Sequence, residues 1–319
     1  MSKKLVVIAL GGNAIKQADE KGTTEEQFLN VDIAARQIAK ITKAGWEVVV
    51  THGNGPQAGS LLIQQEEASD LVPAQTLTAV GAMTQGQIGW MFQNRLSYHL
   101  QKEGVDRPVC SIITQVEVSS DDPDFKDPSK PVGPFFTEAE AKDHSSKKGW
   151  IVKEVKPGVE KSWRRVVPSP EPISIVEELS IKNLIENDTI VIASGGGGIP
   201  VEKAADGSWA GVDAVIDKDK AGYILSKALN ADTYMILTDV KHVYIYFNRP
   251  DQQALKTITL DEAQKHMDDG QFLKGSMGPK VEACMRFVKW SGRDAVITSL
   301  DNALSSLTEG TGTRIKEKR

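Results

Sequence analysis

Much of what usually announces chemistry is scarce in this sequence. Its 319 residues include two cysteines; Cys110 and Cys284 stand far apart in apolar runs, one strand-like and one helical, and read as buried thiols ahead of a disulfide or a nucleophile. The five histidines, His52, His99, His144, His242 and His266, never fall three or four positions apart, so no local pair offers itself to zinc. The absence of any Gly-Lys dipeptide removes the P-loop. No apolar run approaches the roughly 18 residues of a membrane span, and residues 1–4 lead into an apolar strand pattern without a signal-like segment. A cytoplasmic protein with no membrane partner is expected. Positive charge is not in excess either: 38 Lys and Arg face 43 Asp and Glu, a net charge of -5, which argues against a broadly basic nucleic-acid binder.

Glycine, by contrast, stands where it can act. Residues 5–14 read LVVIALGGNA, six apolar residues followed by two glycines and an asparagine. Such a run reads as a buried strand whose far end turns tightly and leaves backbone N–H groups open to an anion. The pattern returns at 47–59, EVVVTHGNGPQAG, and at 189–200, TIVIASGGGGIP. One such turn is ordinary strand-end chemistry. Three point to a shared site at the carboxyl ends of a parallel sheet.

Between these turns, helical and extended patterns alternate. Phe28, Val31, Ala35, Ile38 and Ile41 fall on one helical face, with Thr24 and Gln27 as its capping box. Residues 76–104 read as a long helix in which Gly81, Gly86 and Gly89 permit close packing, followed by a strand at 109–113. Further on come a helix at 177–187, a strand at 212–216 running into Asp217-Lys218-Asp219, and a helix behind it. A strand at 234–237, a helix capped by Thr259 and Glu262, a helix opened by Pro279 and a strand at 295–298 complete the alternation. It predicts an α/β fold with a mainly parallel sheet covered on both faces. Residues 121–172 depart from it, holding eight of the fourteen prolines. They read as small hairpins with one short helix starting at Thr137 and capped by Glu140, serving either oligomer contacts or as a lid.

Two lysines stand where a cation is disfavoured. Lys218 enters a helix after a strand and Lys280 follows Pro279, although a positive charge loses roughly 0.3–1 kcal/mol at a helix N-terminus. A phosphate about 4 Å away, at an effective dielectric near 20, contributes on the order of 4 kcal/mol before desolvation and outweighs that loss. Solvated surface lysines are the bland alternative. Asp219 is placed to orient both ammonium groups or accept a metal-bound water, and its bland role is to cap its helix, which one residue can combine with the first. Gly53-Asn54-Gly55-Pro56-Gln57-Ala58 satisfies G-x-G-x-x-A, yet the acidic residue about 20 positions on is missing, since Glu66, Glu67 and Asp70 come too early.

The chain resembles the carbamate kinases of the amino acid kinase family through IALGGNA, GNGPQ, KPVGPF, WRRVVPSP, SGGGGIPV, GVDAVIDKD, ILTDV and GSMGPKVEA, in that order, from Leu5 to about Ile315. The resemblance implies an open αβα sandwich forming one domain over 1–319, with a protruding subdomain at 121–172. It divides into a substrate-side lobe near 1–210 and a nucleotide-side lobe near 211–319, and forms a homodimer. It implies reversible phosphoryl transfer between MgATP and carbamate, giving ADP and carbamoyl phosphate, with ATP synthesis in arginine fermentation as the useful direction. Mg²⁺ arrives with ATP or ADP as co-substrate, no tightly bound organic cofactor is needed, and no protein ligand set for the metal stands out. Carried over by position, Gly11, Gly12, Asn13, Gly53, Asn54 and Gly55 cradle the transferred group. Lys218 and Lys280 stabilise its charge, Asp219 orients them, and Lys130 reaches in from the subdomain. Gly195, Gly196, Thr238, Asp239, Val240, Tyr244 and Met277 border the nucleotide. Related amino acid kinases carry a lysine two positions before the first glycine pair; here that place is Ala9, which leaves its charge to Lys218. Carbamate is already an oxyanion, so the missing catalytic base is what direct transfer requires. The rival readings are an acetylglutamate-like kinase on the same fold and a nucleotide sensor without turnover.

Overall fold

The computed structural model describes residues 3–318 apart from Ala18, Lys274 and the side chain of Asn13. Eight strands form its main sheet: β1 Leu5–Leu10, β2 Glu47–His52, β3 Val109–Ser111, β4 Ile190–Ile192, β5 Thr233–Thr238, β6 Thr257–Thr259, β7 Ala295–Ser299 and β8 Thr313–Lys316. The helices are α1 Thr24–Lys43, α2 Gly55–Glu67, α3 Leu77–Lys102, α4 Glu138–Lys148, α5 Glu178–Glu186, α6 Lys218–Ala228, α7 Leu260–Asp268, α8 Met277–Ser291 and α9 Ala303–Thr308.

The apolar run of β1 lies near the centre because both its faces are covered, which is why it is apolar without alternation. In β1, Val6, Ile8 and Leu10 face α1, α3 and α9, meeting Val31, Ile38, Ile88 and Phe92, while Val7 and Ala9 face the core shared with α5, α6, α7 and α8, which holds Leu225, Val281 and Phe287. Spatially the strands run β6-β8-β7-β5-β1-β2-β4-β3. The six from β7 to β3 are parallel; β8 pairs antiparallel with β7 and carries β6 with it. The fold is therefore an α/β sandwich of three layers on a mainly parallel sheet. From β1 the chain goes first to β2 on one side and returns much later to β5 on the other, so the carboxyl ends of β1 and β5 form the topological switch point where open α/β sheets hold ligands.

Two local readings need correction. Thr23, not Thr24, caps α1: its hydroxyl accepts the Glu26 N–H and the Glu26 carboxylate accepts the Thr23 N–H. A carboxylate at that position suits the positive end of the helix, whereas Gln27 is buried and donates to the Gly22 carbonyl. Residues 212–216 are not a strand. Val212 and Val215 donate to the carbonyls of Pro200 and Pro168, prolines that have no N–H to return, and a ladder cannot propagate there. In addition, α8 begins at Met277, two residues before Pro279.

Within 121–172, strands Lys130–Phe136, Trp163–Val167 and Val152–Glu154 form an antiparallel sheet with α4 beside it, capped by Thr137 and Glu140. Lys148 of α4 reaches Glu66 of α2 at 2.5 Å, tying this unit to the main body.

Candidate active site

The turns that leave the parallel strands are hydrogen-bonded or packed together. The Gly11 N–H donates to Leu237 O at 3.1 Å and the Gly53 N–H to Leu10 O at 3.0 Å, which joins the ends of β1, β2 and β5. A Cβ on Gly53 would lie 3.3 Å from both the Gly12 nitrogen and Lys218 Cδ, so two glycine turns and one lysine already touch. Gly196, at φ +69, packs on the Asn54 side chain with room for no Cβ at all, since one would sit 2.2 Å from the amide nitrogen.

Above these turns the first turns of α6 and α8 meet. Asp217 caps α6, its Oδ1 accepting the N–H groups of Asp219 at 2.9 Å and Lys220 at 3.3 Å. The capping alternative for Asp219 is thereby overturned, because a neighbour already fills that role. The Asp219 carboxylate accepts instead from Lys218 Nζ at 2.5 Å on Oδ1 and from Lys280 Nζ at 3.1 Å on Oδ2. Burial alone would push the pKa of this 2%-exposed group up; the two ammonium charges beside it hold it below the usual carboxylate range. Its backbone is fixed too, as the buried Tyr234 hydroxyl donates to Asp219 O at 2.8 Å. Two positive charges against one negative leave this trio with a surplus that favours an anion.

The trio sits at the waist of a continuous cleft. One compartment of about 370 Å³ runs from Gly11 and Gly12 past Thr238 and Asp239 to Ser299, Leu300 and Asp301. The other, about 280 Å³, is bounded by Gly53, Asn54, Gly55, Lys130 and Gly196. Gly12, Lys218 and Lys280 line both, along with Gly275 and Ser276.

Comparison with known proteins identifies the family. Residues 4–299 match the model of the amino acid kinase family. The chain belongs to the amino acid kinase family. Among curated relatives, a carbamate kinase of Pyrococcus furiosus is 50% identical over 314 residues, covering 98% of this chain and 99% of its own. Carbamate kinase 2 of Enterococcus faecalis is 46% identical with coverage of 98% and 99%. A solved carbamate kinase from Giardia lamblia bound to AMP-PNP superposes with a TM-score of 0.94 at 45% identity, covering 99% of both chains. An N-acetylglutamate synthase of Neisseria gonorrhoeae, 15% identical with a TM-score of 0.53, shares the fold alone; it matches 99% of this chain and 60% of its own.

Within this family member the cleft does not hold every candidate residue in the grouping read from sequence. Gly11, Gly12, Gly53, Asn54, Gly55, Lys218, Asp219 and Lys280 converge; the Asn13 side chain lies outside the described residues. Lys130 Nζ stands 3.9 Å from Asp217 Oδ2 at the mouth. Thr238 and Asp239 line the first compartment, whereas Gly196 lines the second and Gly195 packs on the His52 ring behind it, away from Thr238 and Asp239. Val240 follows Asp239, Tyr244 lies in the strand Val243–Ile245, and Met277 opens α8 against the core. Sequence reading missed Ser299, Leu300 and Asp301. They too close a parallel strand, β7, whose last residue is Ser299, but the turn after it has no glycine to mark it. His52, one residue before Gly53, is buried, its Nδ1 donating to Gly53 O at 2.9 Å, and burial pushes its pKa down to about 4. It is neutral at pH 7 and packed away from the cleft's reacting centre.

Proposed function

We propose that this chain is a carbamate kinase, transferring the γ-phosphoryl group of ATP reversibly to carbamate and yielding ADP and carbamoyl phosphate. The observation that carries the reading is the Lys218–Asp219–Lys280 trio at the waist of a two-compartment cleft, in a chain about half identical to curated carbamate kinases. The compartment beside Thr238 and Asp239 takes the nucleotide, and the one beside Asn54 and Lys130 takes carbamate. A carbamate oxygen attacks phosphorus as the bond to the β-phosphate oxygen breaks, with its electron pair leaving on ADP. No proton moves at the nucleophile, so positioning and charge are the sources of rate. Lys218 and Lys280 meet the equatorial oxygens, the Gly12 N–H adds a neutral donor while those of Gly11 and Gly53 hold the turns together, and Asp219 holds both amines in place.

Mg²⁺ enters as part of the nucleotide substrate, held chiefly by phosphate oxygens. That suits the donors present: both Asp219 oxygens are engaged by lysines, and the described residues contain no cluster of three potential metal-binding side chains. A cytoplasmic enzyme is consistent with the finding that no described helix is long and apolar enough to cross a membrane. Supply of ATP during arginine breakdown fits the reverse reaction, because an acyl phosphate is a strong phosphoryl donor.

The test incubates the protein with ADP, Mg²⁺ and carbamoyl phosphate and follows ATP through a coupled assay. ATP above the chemical background is expected, and Lys280→Ala should lower turnover at least about tenfold with the fold intact, as loss of a transition-state charge contact predicts. No ATP above background from the unaltered protein rejects the assignment.

A further inference from the structure

The carbamate-side compartment has an arm of about 120 Å³ that opens beyond Asn54, Lys130 and Gly196. Its walls are mostly apolar, with Leu77 and Val215 among them, and its charged lining residues are Lys130 and Arg164, with no acid. Arg164 is half-buried. Its Nε and Nη2 donate to Gly133 O at 3.1 and 2.7 Å, and its guanidinium lies 4.9 Å from the Phe135 ring centre. No described carboxylate pairs with it, and its Nη1 has no described hydrogen bond. Burial without a counter-charge pushes its pKa down from the ordinary value, although an arginine keeps its charge.

This placement is built into the backbone. Gly133 has φ +69, in the left-handed region that favours glycine, and the pairing of Lys130–Phe136 with Trp163–Val167 shifts register between Val132 and Phe136. At this irregularity the Gly133 carbonyl accepts from Arg164, and the guanidinium lies over the Phe135 ring. Resting on the reading that carbamate occupies this compartment, we infer that Arg164 is a specificity-determining residue whose free edge binds the carboxylate oxygen that does not attack phosphorus. The arm's small volume confines the acceptor to a compact carboxylate. In the ATP-forming direction that oxygen begins as a carbonyl and gains charge as the oxygen–phosphorus bond breaks. An arginine there binds the transition state more tightly than carbamoyl phosphate.

Steady-state kinetics of ATP formation test this with carbamoyl phosphate and ADP varied separately. Arg164→Ala should lower kcat/KM for carbamoyl phosphate at least about tenfold while KM for ADP stays within about twofold; Arg164→Lys, which cannot keep the fork, should fall between. Gly133→Ala, which leaves every charge in place, should reproduce the same split and stands in if Arg164→Ala does not fold. A folded Arg164→Ala or Arg164→Lys with unchanged kcat/KM for carbamoyl phosphate, or with KM for ADP raised about as much as kcat/KM for carbamoyl phosphate falls, overturns the inference. Failure of the unaltered protein to make ATP would instead reject the function itself.

Discussion

At pH 7 the imidazole of His52 is uncharged because burial opposes its protonation and pushes its pKa down to about 4, against about 6.5 in an unfolded chain. The sign of the consequence follows from proton counts. Between about pH 6.5 and pH 4 the unfolded chain binds a proton that the folded chain refuses, so stability falls as pH falls through that window, by up to about 3 kcal/mol. Urea melts from neutral pH down to about pH 4 should show this loss, and His52→Asn, which keeps a donor for Gly53 O, should flatten it. Parallel curves for the two proteins would mean that another group is responsible. The same scale shows what could be read before the fold was known. Lys218 and Lys280 were legible because a cation at a helix start is a local anomaly. The division of labour between Asp217 and Asp219 was not, because either carboxylate can cap a first turn. Only the arrival of Lys280, 61 positions later, settles which one bridges.

Elements were legible where a pattern was long or marked by glycine, and illegible where a choice depended on neighbours. The 26-residue α3 was readable from its length, and the three glycines inside it promised close packing. The structure distributes that promise unevenly. A Cβ on Gly86 would meet nothing within 4 Å, and one on Gly81 would touch Ile199 at 3.7 Å. On Gly89 it would lie 2.0 Å from Ser111 Oγ and 2.7 Å from Ser111 Cβ, so α3 rests on β3 at this point. Gly89→Ala gains about 1 kcal/mol of helix propensity but overpacks a seam at a cost of about 1–3 kcal/mol. Net destabilisation is expected, whereas Gly86→Ala should stabilise; chemical denaturation measures both. Adding Ser111→Gly to Gly89→Ala should return most of the loss, and a double-mutant cycle without coupling would show that the contact is not the cause. The Thr23–Glu26 box was missed by one residue for a related reason. Two overlapping pairs fit the pattern, and only burial of Gln27 decides between them.

Across the whole molecule, the cleft opens at the carboxyl ends of the parallel strands, while several exposed apolar side chains stand on α1 and α3. Leu29 is 67% exposed, Ile33 47%, Met83 42% and Trp90 54%, and Trp90 meets Phe28 edge-on with ring centres 4.9 Å apart. Leu29 and Ile33 are one helical turn apart on α1, and Met83 and Trp90 two turns apart on α3, so each pair presents a single stripe. Exposed apolar side chains scattered singly need no explanation, but two such pairs on neighbouring packed helices do. We propose that a second copy of this chain covers them, giving a twofold dimer whose clefts stay open because the interface uses the layer and not the strand ends. An interface of the usual size buries about 1,600 Å² in total, and a charged group at its apolar centre is strongly unfavourable. Sedimentation equilibrium should therefore find a dimer for the unaltered protein and a monomer for Trp90→Glu, with helix content unchanged. A Trp90→Glu protein that remains dimeric would place the interface elsewhere. A monomeric variant that still forms ATP from carbamoyl phosphate would show that each chain carries a complete cleft, as the convergence of Lys218, Asp219 and Lys280 within one chain requires.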